Sequence, residues 1–302
     1  PFPAAGVIRP PLRQALDAER PLVTPLAHDA LSARLIEQAG FRAFAVGGSA
    51  LLATRYALPD IGLIGLRDMV EGIRDIAAGS SLPFLADGDD GYGDAKSVVR
   101  TIAAYEDLGV GGVLIEDQLR ERKQQRADRA AAVVDEAVIE RKLEVALAAR
   151  RSRETLVIGR TDAFGALGLD AALRRGERFL TVGVDGVFVA GLRRPEDYER
   201  VGRALGGTIL SAAIFEGSGT PWLSPAELGA MGFRHVSFPA TVLFRAVAAT
   251  RRALAELRRY ADGREGFEPL AEGSEVRAAL DEAVGLARWR ALEASVAGEV
   301  RG

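Results

Sequence analysis

Eight short apolar runs alternate with stretches of helical period along most of the chain, and few folds accept that rhythm. The runs are PLVTPLA (21 to 27), AFAVG (43 to 47), PFLAD (83 to 87), GVLIE (112 to 116), TLVIGR (155 to 160), GVFVA (186 to 190), TILSA (208 to 212) and RHVSF (234 to 238). Rich in Val, Ile, Leu and Phe and apolar on both faces, they read as strands buried on two sides, as in a parallel sheet. The segments 29 to 39, 94 to 108 and 196 to 204 between them read as helices. In the second, Val98, Ile102 and Tyr105 or Glu106 mark a stripe, with Asp94 as cap ahead and Gly109 behind. Parallel neighbours need a crossover between each pair, so this order predicts an α/β fold, a (β/α)8 TIM-type barrel. An open doubly wound sheet is the alternative. At 302 residues, 48% of them hydrophobic, the chain can build such a barrel as one domain.

Two segments break the rhythm. From Gln118 to Arg129 the sequence QLRERKQQRADR is almost wholly polar and too long for an ordinary turn after a strand. It reads as a mobile lid at the mouth, or as a charged face running on into the next helix. Beyond Phe238 come a helix over 240 to 261, the linker DGREGFEPLAEGS and a helix over 274 to 297. Residues 1 to 261 are thus expected to form the catalytic barrel. Residues 262 to 302 would bury their apolar side on a partner subunit of a dimer or tetramer.

The net charge of -3 and the pI near 5.7 leave no domain-wide basic field for nucleic acid. Cysteine is absent, which excludes a disulfide framework, a thiolate zinc site and a cysteine nucleophile, and fits a reducing cytoplasm. No apolar run reaches the roughly 18 residues of a membrane span, and the PFPAAGVIRP start lacks the parts of a signal peptide. A cytoplasmic protein with no membrane partner is expected.

Four acidic residues fall where four successive parallel strands would end: Asp60 in LPDIG, Asp87 and Asp89 in LADGDDGYG, and Glu116 in VLIEDQ. Carboxylates converging at the C-terminal mouth of a barrel make a hard oxygen site suited to Mg2+ or Mn2+. Asp87 and Asp89, one residue apart, share a face of an extended chain and so could share one cation. An EF-hand is excluded, because Val98 stands where its bidentate glutamate belongs. A polar turn with helix caps is the bland reading.

Of the three lysines, Lys96 and Lys142 lie in helices and Lys123 in the lid, so no strand lysine is available for a Schiff base. The two histidines give little support to a triad or a zinc site. His235 begins strand eight and reads as structural, while His28 ends strand one at the mouth and could touch substrate. Arg160 ends strand five, where its fork suits a carboxylate or phosphonate, or an ion pair with Glu116 or Asp162. Gly47, Gly48 and Ser49 follow strand two, where backbone N–H groups could cradle an anion.

PLAHDALSARLIEQAGF, LPDIG, DGDDGYGD, GGVLIEDQ and GRTDA, in that order, resemble the isocitrate lyase/phosphoenolpyruvate mutase superfamily from about Leu12 to Tyr260. The resemblance implies a β/α barrel with Mg2+ bound at Asp87 and supported, largely through water, by Asp89, Glu116 and Asp60. It also implies a small 2-oxo acid or relative as substrate, a metal-held enolate, and tetramers that exchange a C-terminal helix. Several positions depart from the lyase pattern. Arg122, Lys123, Gln124, Gln125 and Arg126 stand where lyases carry K-[KR]-C-G-H, and Gln124 cannot donate the cysteine's proton. Gly47 replaces a serine, Ala190 a glutamate and Ala213 a carboxylate-binding asparagine, with Phe215 and Glu216 close by at the substrate end. These losses favour a smaller or more apolar acid.

The leading reading is a Mg2+-dependent C–C lyase or decarboxylase of a 2-oxo or 2-hydroxy acid. Arg160 would neutralise charge, and Tyr92 or water would return the proton. A phosphonopyruvate-type mutase or hydrolase is the second reading, with Arg122, Lys123 and Gln124 steadying a phosphoryl group. A metabolite-binding barrel without turnover is the third.

Overall fold

In the computed structural model every one of the eight apolar runs forms a parallel strand. They are β1 (Leu22–Pro25), β2 (Phe44–Val46), β3 (Phe84–Asp87), β4 (Gly112–Glu116), β5 (Leu156–Thr161), β6 (Gly186–Val189), β7 (Ile209–Ala213) and β8 (His235–Phe238). The structure describes residues 8–123, 132–217, 219–264 and 266–299. The sheet order is β1-β8-β7-β6-β5-β4-β3-β2, and a parallel bridge from Leu26 to Ala45 joins its two ends. The fold is therefore a (β/α)8 barrel, not an open sheet. Among the described residues no helix is long and apolar enough to cross a membrane.

The two-sided character of the strands sets the packing. Alternate residues of β5 go to opposite sides: Val157 joins the layer between strands and helices, while Leu156 and Ile158 fill the barrel. The same outer layer holds helix residues such as Ile102, Leu143 and Phe179, all buried. Leu12 and Leu16 of the helix Leu12–Ala18 join Leu22, Leu85 and Ile209 in the inner cluster and so plug the lower end. In the helix Ala95–Asp107 the stripe runs through Val98, Ile102 and Tyr105, with Asp94 capping.

The tail departs from expectation. The helix expected over 274 to 297 is two helices, Gly273–Ala283 and Leu286–Glu299. Gly285 between them has φ +69°, a left-handed conformation that ends a helix at little cost only in glycine. The chain divides into two units between Leu243 and Phe244. In the second, Leu254, Leu257, Leu280, Trp289 and Leu292 are exposed.

His235 sits inside the barrel at the start of β8. Its Nε2 lies 2.8 Å from Thr24 Oγ1 and its Nδ1 3.1 Å from Ser211 Oγ, so both ring nitrogens are satisfied by hydroxyls of the flanking strands. Burial without a counter-charge pushes its pKa down to about 4. The unfolded chain takes up this proton near pH 6.5 and the folded chain only near pH 4. Stability present above pH 6.5 is therefore lost as the pH falls through that window, by about 3 kcal/mol from this group. Denaturant titrations of the wild type and His235→Gln across pH 4 to 7 check it. The variant is expected to be weaker at pH 7 and to show a slope shallower by about one proton.

Candidate functional site

The C-terminal ends of β3 and β4 carry the acidic group. Asp87 is the last residue of β3, and its carbonyl accepts hydrogen bonds from Tyr105 Oη at 2.8 Å and Tyr92 Oη at 3.3 Å. The chain then turns sharply, with Asp89 at φ +47° and Tyr92 at φ +59°. Asp87 and Asp89 therefore do not share the face of an extended chain, as the spacing suggested. The turn is held instead to β4, by Gly88 N to Leu114 O at 2.8 Å and Glu116 N to Asp89 O at 2.7 Å. The Asp89 carboxylate is brought beside Asp87 by this stitching rather than by pleat geometry.

Asp60 also reaches the site by a route the sequence did not disclose. It follows no strand directly, because the helix Gly48–Tyr56 is inserted after β2 and Asp60 lies between that helix and the next, Leu66–Ala77. Three strands or their connections, not four, thus supply the acids. Asp60, Asp87 and Asp89 each place a carboxylate oxygen within 4.8 Å of the others, and Asp60 and Asp89 are buried. Gly48 stands against all three. A Cβ there would lie 3.6 Å from Asp60 Oδ2, 3.6 Å from Asp87 Oδ2 and 3.8 Å from Asp89 Oδ1, so glycine keeps that wall free of side-chain atoms.

Glu116, at the end of β4, is 2% exposed. Its Oε2 makes no hydrogen bond among the described residues, although Arg160 Nη1 lies 3.1 Å away as an ion pair. Crowding has an electrostatic signature. Burial, opposed by Lys123 and reinforced by Asp87, Glu116 and Asp60, raises the pKa of Asp89 to about 8. Asp60 is raised too, by burial against the pull of Lys123. Such oxygens gain most from a positive charge, and a set made only of carboxylates fits Mg2+ or Mn2+.

Lys123, expected in the lid, enters this cage. Its side chain is 4% exposed, with Nζ 2.5 Å from Asp89 Oδ1, 3.0 Å from Asp60 Oδ1 and 3.4 Å from Glu116 Oε1. Burial works against its charge, but Glu116, Asp89, Asp60 and Asp87 outweigh it and hold its pKa well above the ordinary lysine value. Arg122 ends the short turn Arg120–Arg122 and is exposed, whereas Gln124, Gln125 and Arg126 lie outside the described residues.

Arg160 uses its fork within the protein. Nε and Nη2 meet Asp162 at 2.9 and 3.0 Å, and the guanidinium lies 5.6 Å from the centre of the Phe188 ring. Burial disfavours its charge, yet Asp162 and Glu116 hold its pKa far above the ordinary value. Gly47 is the extended N-cap of the helix Gly48–Tyr56, whose first turn holds Gly48 and Ser49 and has no side-chain cap. The N–H groups of Gly48 and Ser49 head this helix, the end whose dipole suits an anion. The Tyr92 hydroxyl is 2.9 Å from Tyr105 Oη as well as bound to Asp87 O. Burial foremost, with Tyr105 and the aspartates, raises its pKa well above the ordinary value, so it holds the turn rather than presenting a ready acid.

Apolar residues stand at the C-terminal ends of β1, β6 and β7. Leu26, Phe188, Ala190 and Ala213 are buried in the inner cluster, with Phe215 packed on it. A Cβ on Gly47 would stand 2.7 Å from Leu26 Cδ2, so Leu26 fills the room that a serine at 47 would need. Glu216 lies in the turn beyond. His28, in the connection after β1, has a buried Nδ1 without a hydrogen-bond partner among the described residues, and burial lowers its pKa.

A supporting ring of charge escaped the sequence reading. Asp90 is bound by Arg120 Nε at 3.0 Å and by Lys142 Nζ, which donates 2.7 Å to its carbonyl. Asp117 accepts from Thr161 Oγ1 at 2.7 Å, Asp162 N at 2.8 Å and Arg175 Nη1 at 3.1 Å, fixing β4 to β5 just beyond Glu116 and Arg160. Lys142 did leave a signal, for it falls on the buried stripe Ile139, Leu143 and Ala146 of its helix.

A family model described as phosphoenolpyruvate phosphomutase matches residues 12–258. The protein of Corynebacterium glutamicum named "Probable 2-methylisocitrate lyase 1" is 36% identical over 255 residues, covering 84% of this chain and 83% of its own. The 2,3-dimethylmalate lyase of Eubacterium barkeri is 32% identical over 238 residues, covering 79% and 82%. The solved structure of oxaloacetate acetylhydrolase in complex with the inhibitor 3,3-difluorooxalacetate matches with a TM-score of 0.86 at 28% identity, over 95% of this chain and 96% of that one.

Proposed function

Because the chain belongs to the phosphoenolpyruvate phosphomutase family, within the PEP mutase/isocitrate lyase superfamily, we propose that it is a carbon–carbon lyase acting on a small 2-oxo or 2-hydroxy acid with an apolar substituent. The observation that carries this reading is the division of the mouth. Acidic and cationic groups line it over the connections after β2 to β5, and Leu26, Phe188, Ala190, Ala213 and Phe215 line the rest.

In this reading Asp87, Asp89, Asp60 and Glu116 hold a divalent cation, Mg2+ or Mn2+. When bound, such an ion supplies Lewis-acid attraction for substrate oxygens and for the negative charge left by bond cleavage. The N–H groups of Gly48 and Ser49 take the substrate carboxylate, and Arg160 offsets what charge remains. The apolar half receives the substituent and excludes water from it. A second carboxylate there would be desolvated against Leu26 and Phe215 with no partner replacing the asparagine and glutamate of the lyase pattern. Decarboxylation suits the site well, since CO2 departs without a proton and the remaining fragment is protonated once, from water. His28, in the connection after β1, is in this reading a substrate contact.

The phosphonopyruvate-type reading loses ground because Lys123, assigned there to the phosphoryl group, is enclosed by carboxylates. We also place the enzyme in the cytoplasm, as its lack of cysteine suits, and infer a homo-oligomer in which the exposed apolar residues of the tail meet another subunit.

Chelator-treated protein, assayed with and without Mg2+ or Mn2+ against oxaloacetate, alkylmalates, methylisocitrate and phosphonopyruvate, tests the proposal. Turnover is expected only with metal, and an alkyl-substituted dicarboxylate should exceed the tricarboxylate in kcat/KM by at least about tenfold. Flat progress curves with thermal stabilisation by the same acids would replace the enzyme by a binding barrel. Inorganic phosphate released from phosphonopyruvate, or a new phosphorus resonance, would restore the C–P reading.

A further inference from the structure

The carboxylate cage closes on a side chain of the chain itself. An ammonium has three N–H donors, and Lys123 Nζ is surrounded by oxygens of three acids, Asp89 at 2.5 Å, Asp60 at 3.0 Å and Glu116 at 3.4 Å. Those acids come from three separate segments, so this one side chain ties together the connection before Leu66, the turn after β3 and the end of β4. We propose that Lys123 is a built-in counter-ion that competes with the divalent cation for the cage, so that cation binding expels its ammonium. The inference rests on the metal reading given above.

Geometry makes the two occupants exclusive. Asp60 and Asp89 belong to the trio whose oxygens lie within 4.8 Å of one another. A cation bound to Asp89 Oδ1 at about 2.1 Å would stand no more than about 4.6 Å from Nζ, the sum of that distance and the 2.5 Å contact. Two positive charges that close in a buried site repel strongly, and the ion also needs the oxygen lone pairs to which the ammonium donates. Arg160 cannot leave, being clamped on Asp162 by two hydrogen bonds. Lys123 can, because its charge rides on a flexible four-carbon stem and, among the described residues, its Nζ contacts are to the cage acids.

The unaltered protein supports a direct test. After chelation, the chain is acetylated with an N-hydroxysuccinimide ester, with and without Mn2+, and the three lysines are quantified by mass spectrometry. Lys96, whose side chain is 90% exposed, reports reagent activity, and Lys142, held on Asp90, reports the integrity of the fold. Mn2+ is expected to raise labelling of Lys123 several-fold and leave Lys142 unchanged. In parallel, Mn2+ affinity measured from the electron paramagnetic resonance of free Mn2+ should tighten about tenfold in Lys123→Met, because the competitor is gone. Should that variant fail to fold, the labelling result decides alone. Labelling of Lys123 that stays constant or falls while Mn2+ binds the wild type would overturn the proposal, as would unchanged or weaker Mn2+ affinity in a folded Lys123→Met. Absence of Mn2+ binding to either protein would instead remove the metal reading itself.

Discussion

Asp87→Ala is expected to lower turnover at saturating Mg2+ by at least about a thousandfold while leaving the barrel as stable as before, or slightly more so. The two effects separate because of what Asp87 does with each of its parts. Its carbonyl anchors Tyr105 and Tyr92, and alanine keeps that carbonyl. Among the described residues its carboxylate accepts one long hydrogen bond, from Asp89 N at 3.2 Å, and it faces two further acids across less than 5 Å. Removing one negative charge from that group relieves repulsion that Lys123 only partly offsets, so folding has little to lose. The cation has much to lose, since the remaining oxygens of Asp60 and Asp89 come from segments outside the strand ends. Steady-state kinetics with thermal unfolding of the same preparations check both halves. Turnover within tenfold of wild type would end the metal mechanism, and a large fall in stability would mean that the carboxylate is structural.

Strand positions were legible because two-sided Val, Ile, Leu and Phe runs at regular spacing have few other uses, and Asp87 and Glu116 followed as the residues ending two of them. What stayed hidden was whatever depends on chain direction after a strand. GSALLATRY is a helix of only nine residues, short enough to be passed over, and it moves Asp60 from a strand end to an interhelical loop. Asp89 needs a left-handed backbone, which Asp tolerates better than most residues but which no spacing rule announces. Lys123 is the sharpest case. In QLRERKQQ any of several cations could turn inward, and the choice is made by carboxylates up to 63 residues away, as the Asp60 pair shows. Lys142 and Gly285 left signals that the expected single helix over 274 to 297 and the placing of Lys142 simply within a helix did not use, one a charge on an apolar stripe and the other a glycine inside a helical pattern.

Arg160→Ala should be the most damaging single change to the fold of this site, costing about 3 to 5 kcal/mol of unfolding free energy. The guanidinium side chain is 16% exposed, and it is the counter-charge for Glu116, whose side chain is 1% exposed, and for Asp162, whose side chain is fully buried. Burial, with Glu116 adding to it, already raises the pKa of Asp162 to about 7 even though Arg160 pulls the other way. Without the arginine that pull vanishes, Asp162 takes up a proton on folding at neutral pH, and stability falls further as pH rises, because the unfolded carboxyl ionises freely while the folded one does not. Glu116 would swing from Arg160 toward Lys123, tightening the very contact that competes with the cation, so activity should fall by more than about a hundredfold even at temperatures where the variant stays folded. Arg160→Lys separates charge from shape. It keeps one positive charge but not the fork that meets Asp162 with two hydrogen bonds, and is expected to recover part of the stability and little of the kcat/KM. Denaturant unfolding at pH 6 and pH 8, set beside kcat/KM for the three proteins, measures each term. A loss under about 1 kcal/mol in Arg160→Ala would mean that water, not the arginine, already solvates Glu116 and Asp162.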